Sequence, residues 1–330
     1  MEKREKTKLI TSIGGQALME GIMMRGPKKT AIAVRRADGE ILLEEMEPLG
    51  LGKKAKILRV PIIRGIVNMI DSFGTGYKAL MRSAELAVDD VEETPEEEMS
   101  KFEKWIDDKF GDKFLKIFMG IAMVISIAFC VALFFFVPTW LFNLLQMIPN
   151  SEWLGSHMIY RSVFEGFIRI LLFLGYMALC LLNKDVRRLY KYHGAEHKTI
   201  ACFESGKELT VENVRKQPRH HPRCGTSFLF VVIFVSILVS SVVFGIWPIT
   251  NAGLRTLVHL ILLPLVVGIT YEFNRWVGRH VQDSKLAQFL TAPGLWMQNF
   301  TTNEPDDSML EVAIRALELV IPEEKGKDAW

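Results

Sequence analysis

Cysteine is scarce in this sequence, and its placement excludes one class of protein. Of four cysteines, Cys130 and Cys180 fall inside apolar runs, and Cys202 and Cys224 in a polar loop. That is not the spaced set that staples a small secreted domain. The first residues, MEKREKTKLITSIGG, lack an apolar stretch followed by a cleavage site, so no signal peptide is expected. Net charge is small as well, formally +2 from 40 basic and 38 acidic residues, which by itself says nothing about nucleic acid; no nucleic-acid partner is expected. Beyond the charge-rich first third, long stretches hold no charge of either sign.

Those uncharged stretches are what the sequence has in abundance. A helix needs about 20 mostly apolar residues to cross the hydrocarbon core of a bilayer. Residues 119–137 and 226–247 supply such runs with no charged side chain. Residues 170–182 reach spanning length only by extension to Phe167, which takes in Arg169, a side chain placed to snorkel to the interface. Residues 257–271 begin just after Arg255 and contain His259, read as a packed, hydrogen-bonded residue. The expected fold is a predominantly α-helical integral membrane protein with about four transmembrane helices over 117–274, in contact with the lipid bilayer. Lys101, Lys104, Lys109, Lys113 and Lys116 precede the first span, Lys184, Arg187, Arg188, Lys191 and Lys198 follow the second, and Arg275 and Arg279 follow the fourth. The other two loops hold only Arg161 and Arg255. The excess of basic residues on one side therefore places both termini and the 184–225 loop in the cytoplasm.

Ahead of the spans, residues 1–88 read as a small α+β cytoplasmic domain. TAIAVRR and EILLEEM form β-prone arms around Ala37-Asp38-Gly39, a hairpin signal. Residues 57–88 have helical character and are expected at the bilayer surface. Residues 89–99 are an acidic linker. Ser100 to Glu103 resembles a capping box opening an amphipathic interfacial helix over 100–116, with Phe102, Trp105, Ile106 and Phe110 on one face. In the C-terminal segment, 275–330, Asp307 or Ser308 is placed to cap a helix with the apolar stripe Leu310, Ala313, Ile314, Leu317 and Val320.

Chemistry concentrates in the 184–225 loop. His193, Glu196 and His197 form a His-x-x-Glu-His pattern in a run that no proline interrupts. On a helix the two imidazoles stand one turn apart on one face, spaced to share a metal ion, with Glu196 on the adjacent edge as general base or further ligand. Further on, His220-His221-Pro222-Arg223-Cys224 adds two imidazoles and a thiol, with His221 and Cys224 at a chelating spacing. Cys224 stands just before Gly225-Thr226-Ser227, the start of the third span, where the helix dipole favours a thiolate suited to metal binding or nucleophilic attack. The ligand set read from the residues is His193, His197, His221 and Cys224, suited to Zn²⁺, with Fe²⁺ an alternative. His220 competes with His221 for the same role. Glu204 and Glu272 are acids within reach of the same level.

The sequence also resembles a known family. Gly14-Gly15-Gln16-Ala17-Leu18-Met19-Glu20-Gly21-Ile22-Met23-Met24-Arg25-Gly26-Pro27 is similar to the opening signature of the bacterial YqhQ family. Pro61-Ile62-Ile63-Arg64-Gly65, the His193–Lys198 segment, His221 to Phe228, Pro293 to Gln298 and Glu304-Pro305-Asp306-Asp307 match further family motifs. The resemblance implies a bacterial membrane protein, loosely described as a metal-dependent enzyme, with no assigned reaction. It also implies that Glu20, Arg25 and Arg64 belong to family motifs and stand as another wall of the site.

Three functions follow as expectations. One is a metal-dependent hydrolase acting at the membrane interface on a membrane protein, peptide or lipid. Another is a scaffold in which a structural metal staples the loop and a partner is recruited elsewhere. The third, a transporter, is disfavoured because the spans hold few ionisable residues, mainly Arg169 and His259.

Overall fold

The computed structural model describes residues 11–53, 55–87, 117–118, 120–149 and 158–322. The linker at 89–99 and the helix read at 100–116 lie outside the described residues. Four strands open the fold: β1 (Gly14–Leu18), β2 (Gly21–Arg25), β3 (Thr30–Arg35) and β4 (Ile41–Met46). Then come α1 (Ile63–Ala87), α2 (Gly120–Leu145), α3 (Met158–Cys180), α4 (Lys184–Glu204) and the short α5 (Val211–Arg215). They are followed by α6 (Gly225–Ile246), α7 (Ala252–His280), α8 (Lys285–Thr301) and α9 (Asp307–Glu318). Helices α2, α3, α6 and α7 are long and apolar enough to cross a membrane. The chain divides into two compact units, one of residues 1–88, 175–235 and 264–330, the other of 89–174 and 236–263.

In the first unit the strands form an antiparallel meander in sequence order. The expected hairpin is β3–β4, with Arg35 opposite Ile41 and Gly39 at φ +91°, a left-handed turn position that suits glycine. Residues alternate across a strand, so each face buries its own set. Leu18, Met23 and Ile32 pack with Ala79 of α1 on one side. Ile22, Met24, Ala31 and Ala33 pack on α4 and α9 on the other. Helix α9 and Val320 just past its end bury the stripe Leu310, Ala313, Ile314, Leu317 and Val320 read from the sequence, and Met309 and Val312 besides. Its cap is Asp306, whose carboxylate accepts the Met309 N–H at 3.2 Å, one residue before the expected Asp307. Helix α1 crosses α7 where a Cβ on Gly65 would stand 2.7 Å from the Tyr271 Cβ, so glycine permits that approach.

In the second unit α3 and α7 begin earlier than hydropathy indicates, at Met158 and Ala252. Their extra turns carry Arg161, Glu165 and Arg255, which bond to one another inside the unit. Arg169 does not snorkel. It is 4% exposed and donates from Nε to the Phe134 carbonyl at 3.0 Å. The sequence reading of few ionisable groups in these helices is corrected: five converge in the interior of this unit.

Candidate metal centre

Helix α4 begins under the Asn183 side chain, which accepts the N–H groups of Asp185 and Val186, and runs without interruption to Glu204. One turn of separation brings the His193 and His197 rings to a centroid distance of 4.4 Å. Gly194 between them is pressed on the segment after α8, since a Cβ there would lie 2.1 Å from the Asn303 carbonyl oxygen. Lys198 donates to the Arg215 carbonyl at 3.0 Å and pairs with Glu304, tying α4 to the chain that returns toward the site.

The second arm is a turn at residues 221–224, closed by the Cys224 N–H to the His221 carbonyl at 3.4 Å. Pro222 occupies the position where its fixed φ suits such a turn. Gln298 of α8 holds the turn through both backbone groups of one residue. Its Oε1 accepts the His221 N–H and its Nε2 donates to the His221 carbonyl, each at 2.8 Å. Cys224 stands at the head of α6, where its sulfur receives the Thr226 N–H at 3.4 Å.

The two arms meet. One ligand atom each from His193, His197 and Cys224 lies within 4.8 Å of the other two. Both imidazoles are oriented by backbone. His193 Nδ1 is 2.8 Å from the Thr301 carbonyl, and His197 Nδ1 is 2.6 Å from the Arg219 carbonyl. A carbonyl only accepts, so each Nδ1 carries a proton, and in its neutral form each ring keeps its lone pair on Nε2. His193 Nε2 lies 3.2 Å from Cys224 Sγ. His197 Nε2 and Glu196 Oε2 are buried and have no hydrogen-bond partner among the described residues. Orphaned buried acceptors are costly, and a cation shared with Cys224 would satisfy the imidazole. Two imidazoles and a thiolate, each ring fixed through its other nitrogen, form a donor set that fits a zinc-type ion. His197 is buried, and His193 and Cys224 are partly buried as residues.

Burial pushes the Cys224 thiol up, yet His193 and His197 outweigh it and hold the thiol well below its ordinary value. Burial depresses His193, but the adjacent sulfur raises it to about 9. Burial raises Glu196, against the pull of the two imidazoles and the Gly15 N–H. Beside the group is a second cluster. Glu204 pairs with Arg223, lies 3.3 Å from His221 Nε2 and accepts the Thr11 N–H at 3.0 Å.

The sequence-read residues are therefore placed as follows. His193, His197 and Cys224 come together. His221 has its ring 5.7 Å from that of His197 but directs Nε2 to Glu204 and stands outside the three-residue group. His220 Nε2 is 3.1 Å from Asn299 Oδ1. Glu20 pairs with Arg188 and meets Tyr192 Oη at 3.2 Å. Arg25 pairs with Asp71 at 2.6 Å, and Arg64 with Glu272, also through Nε at 2.6 Å. These three motif residues fasten the strand region to α4 and α1, and α1 to α7. Thr301, Arg219, Gln298 and Gly15 were missed as parts of the site. Backbone carbonyls leave no trace in residue type. Gln298 and Gly15 did stand in family motifs, though nothing local gave them a role.

A family model described as "Protein of unknown function (DUF1385)" matches residues 60–323. The uncharacterized protein YqhQ of Bacillus subtilis (strain 168) is 34% identical over 315 residues, covering 94% of this chain and 92% of that protein. The chain belongs to the YqhQ family. No solved structure matches it. Within this YqhQ-family chain the matched region holds α1, the four long apolar helices and both arms of the His/Cys group.

Proposed function

We propose that the protein is a membrane-embedded, metal-dependent enzyme of the hydrolase class, with His193, His197 and Cys224 holding a zinc-type ion at the cytoplasmic face of the bilayer. The observation that carries this reading is the pair of backbone-fixed imidazoles, whose Nε2 atoms converge with one sulfur. Three protein donors correspond to the ligand count of catalytic zinc sites; structural sites close with four. A bound ion of that type supplies Lewis-acid activation of a water or a carbonyl. Glu196, one residue from His197 and with Oε2 uncommitted, takes a proton from the attacking water and returns it to the leaving group. His221 and Arg223 keep Glu204 ionised and the turn rigid, so the sulfur stays aimed. The basic residues flanking the long helices support termini and loop in the cytoplasm. A membrane protein, peptide or lipid is the substrate class that such a position favours.

The deciding measurement is the metal content of detergent-purified protein, wild type beside His193→Ala and Cys224→Ala. Near-stoichiometric zinc or iron in wild type, lost from both variants, supports one shared site. Glu196→Gln is then expected to keep the metal and lose complementation of a deletion phenotype. Metal in Glu196→Gln with full complementation would turn the reading to a structural metal in a scaffold.

One observation favours a second reading. His193 Nε2 on Cys224 Sγ at 3.2 Å, with His193 oriented by the Thr301 carbonyl, is also the arrangement of a cysteine nucleophile and its base. Metal-free wild type whose Cys224 is alkylated rapidly at neutral pH, and slowly in His193→Ala, would select it.

A further inference from the structure

We propose that the interior of the second unit, built by α2, α3 and α7, is an anion site that takes a phosphate group. It is separate from the His/Cys group and does not depend on the metal reading.

The argument starts from charge. Arg161, Glu165 and Arg169 lie at four-residue spacing along α3, so they share one face, and Arg255 and His259 do the same on α7. All five are at most 4% exposed. Glu165 accepts from Arg161 Nε at 3.0 Å and from Arg255 Nε at 2.8 Å, and stands 4.0 Å from Arg169. His259 Nε2 lies 2.9 Å from Arg169 Nη2. A guanidinium only donates, so His259 accepts there and contributes no charge. Among the described residues the cluster thus sets three guanidiniums against one carboxylate. Two positive charges are left in an apolar helical interior, where an uncompensated charge costs several kcal/mol.

The neutral partners do not remove this excess. Arg161 Nη2 donates to Asn143 Oδ1 at 2.7 Å and to the Thr250 carbonyl at 3.2 Å. Arg255 donates to Ser162 Oγ at 3.1 Å and to the Ile249 carbonyl at 3.3 Å. Aromatic rings cover the cations, with Arg255 3.7 Å over Phe244 and Arg161 5.1 Å over Phe142. After all of these, Arg161 Nη1 is buried with no partner among the described residues.

Two features give the direction of the charge deficit. Arg255 sits in the first turn of α7, whose N-terminus adds positive potential beside it. Residues 132–136 of α2 form a π-helical turn whose Phe134 carbonyl serves Arg169, a departure from α-helix of the kind that recurs at functional sites. Two residual positive charges, presented as planar forks, match a dianionic phosphate better than a chloride or a single carboxylate. Either free phosphate or a phosphomonoester lipid headgroup offers that chemistry.

The test uses full-length protein in detergent, titrated with inorganic phosphate and, separately, in nanodiscs with or without phosphatidic acid, at constant ionic strength. Melting temperature is the readout. Wild type is expected to gain several degrees in a saturable way with one of the two, and nothing with chloride. Arg161→Lys keeps the charge but loses the fork and Nη1, so its affinity is expected to fall roughly tenfold or more. His193→Ala is expected to respond as wild type does. A response to phosphatidic acid alone assigns a lipid headgroup, and one to phosphate alone a soluble anion. No response from wild type, a non-saturating one, or an equal response in Arg161→Lys overturns the proposal and leaves a structural ion cluster. Should Arg161→Lys fail to fold, saturation in wild type and its reduction in Arg255→Lys decide the matter.

Discussion

A Cβ on Gly15 would stand 2.9 Å from the Cδ of Glu196 and 2.7 Å from the Met23 carbonyl oxygen. Strand β1 and helix α4 can approach this closely only because Gly15 has no side chain. Gly15→Ala must therefore push either the strand or the carboxyl aside. We expect a loss of about 1–3 kcal/mol, read as a lower melting temperature. Metal content should survive, because Glu196 is not among the three donors, while complementation should fall as it does for Glu196→Gln. Unchanged stability and complementation would show that Glu196 has room to move.

The geometry separates His221 from the other histidines. His193→Ala, His197→Ala and Cys224→Ala are each expected to abolish stoichiometric metal. His221→Ala is expected to retain it, because its Nε2 serves Glu204. Elemental analysis of the four purified variants checks this, and metal loss in His221→Ala would restore the four-donor set read from the sequence.

Gln298 closes the second arm by accepting from and donating to the backbone of His221 and by donating to Ser227 Oγ at 3.1 Å. Gln298→Ala leaves the buried His221 N–H without its partner, at a cost of about 1–3 kcal/mol. Since the turn also carries Cys224, metal should be lost to a chelator faster than from wild type. Gln298→Glu, which cannot donate to the His221 carbonyl when ionised, is expected to be worse than a merely polar change suggests.

Glu204 gives a pH dependence. Burial opposes its ionisation, but His221, Arg223 and the Thr11 N–H outweigh it and hold the carboxyl below its ordinary range. The folded state therefore binds this proton less readily than the unfolded chain. The resulting stability is complete near neutral pH and is lost as pH falls through the folded value. Wild type should melt progressively earlier as pH falls below about 5. Glu204→Gln should be less stable at neutral pH by about 3 kcal/mol, because Arg223 loses its carboxylate, and its acid slope should be shallower. An identical slope in the variant would assign the acid sensitivity to other groups.

The sequence by itself determined whatever depends on local pattern. The four long apolar helices follow from hydropathy, the β3–β4 hairpin from β-prone arms around a turn at Gly39, and the apolar stripe of α9 from its 3.6-residue period. The one-turn spacing of His193 and His197 was legible because a helix fixes the distance between side chains four apart. Only the tertiary structure decided what depends on separate segments meeting. That Cys224 joins those histidines while His221 turns to Glu204 is set by a turn held from α8, 77 residues away. That Arg161, Glu165, Arg169, Arg255 and His259 form one buried cluster is set by α3 lying against α7. Charged residues near a helix end read as interfacial in isolation, because a lone sequence shows neither the opposite charge that lets them be buried nor the charge left over once they are.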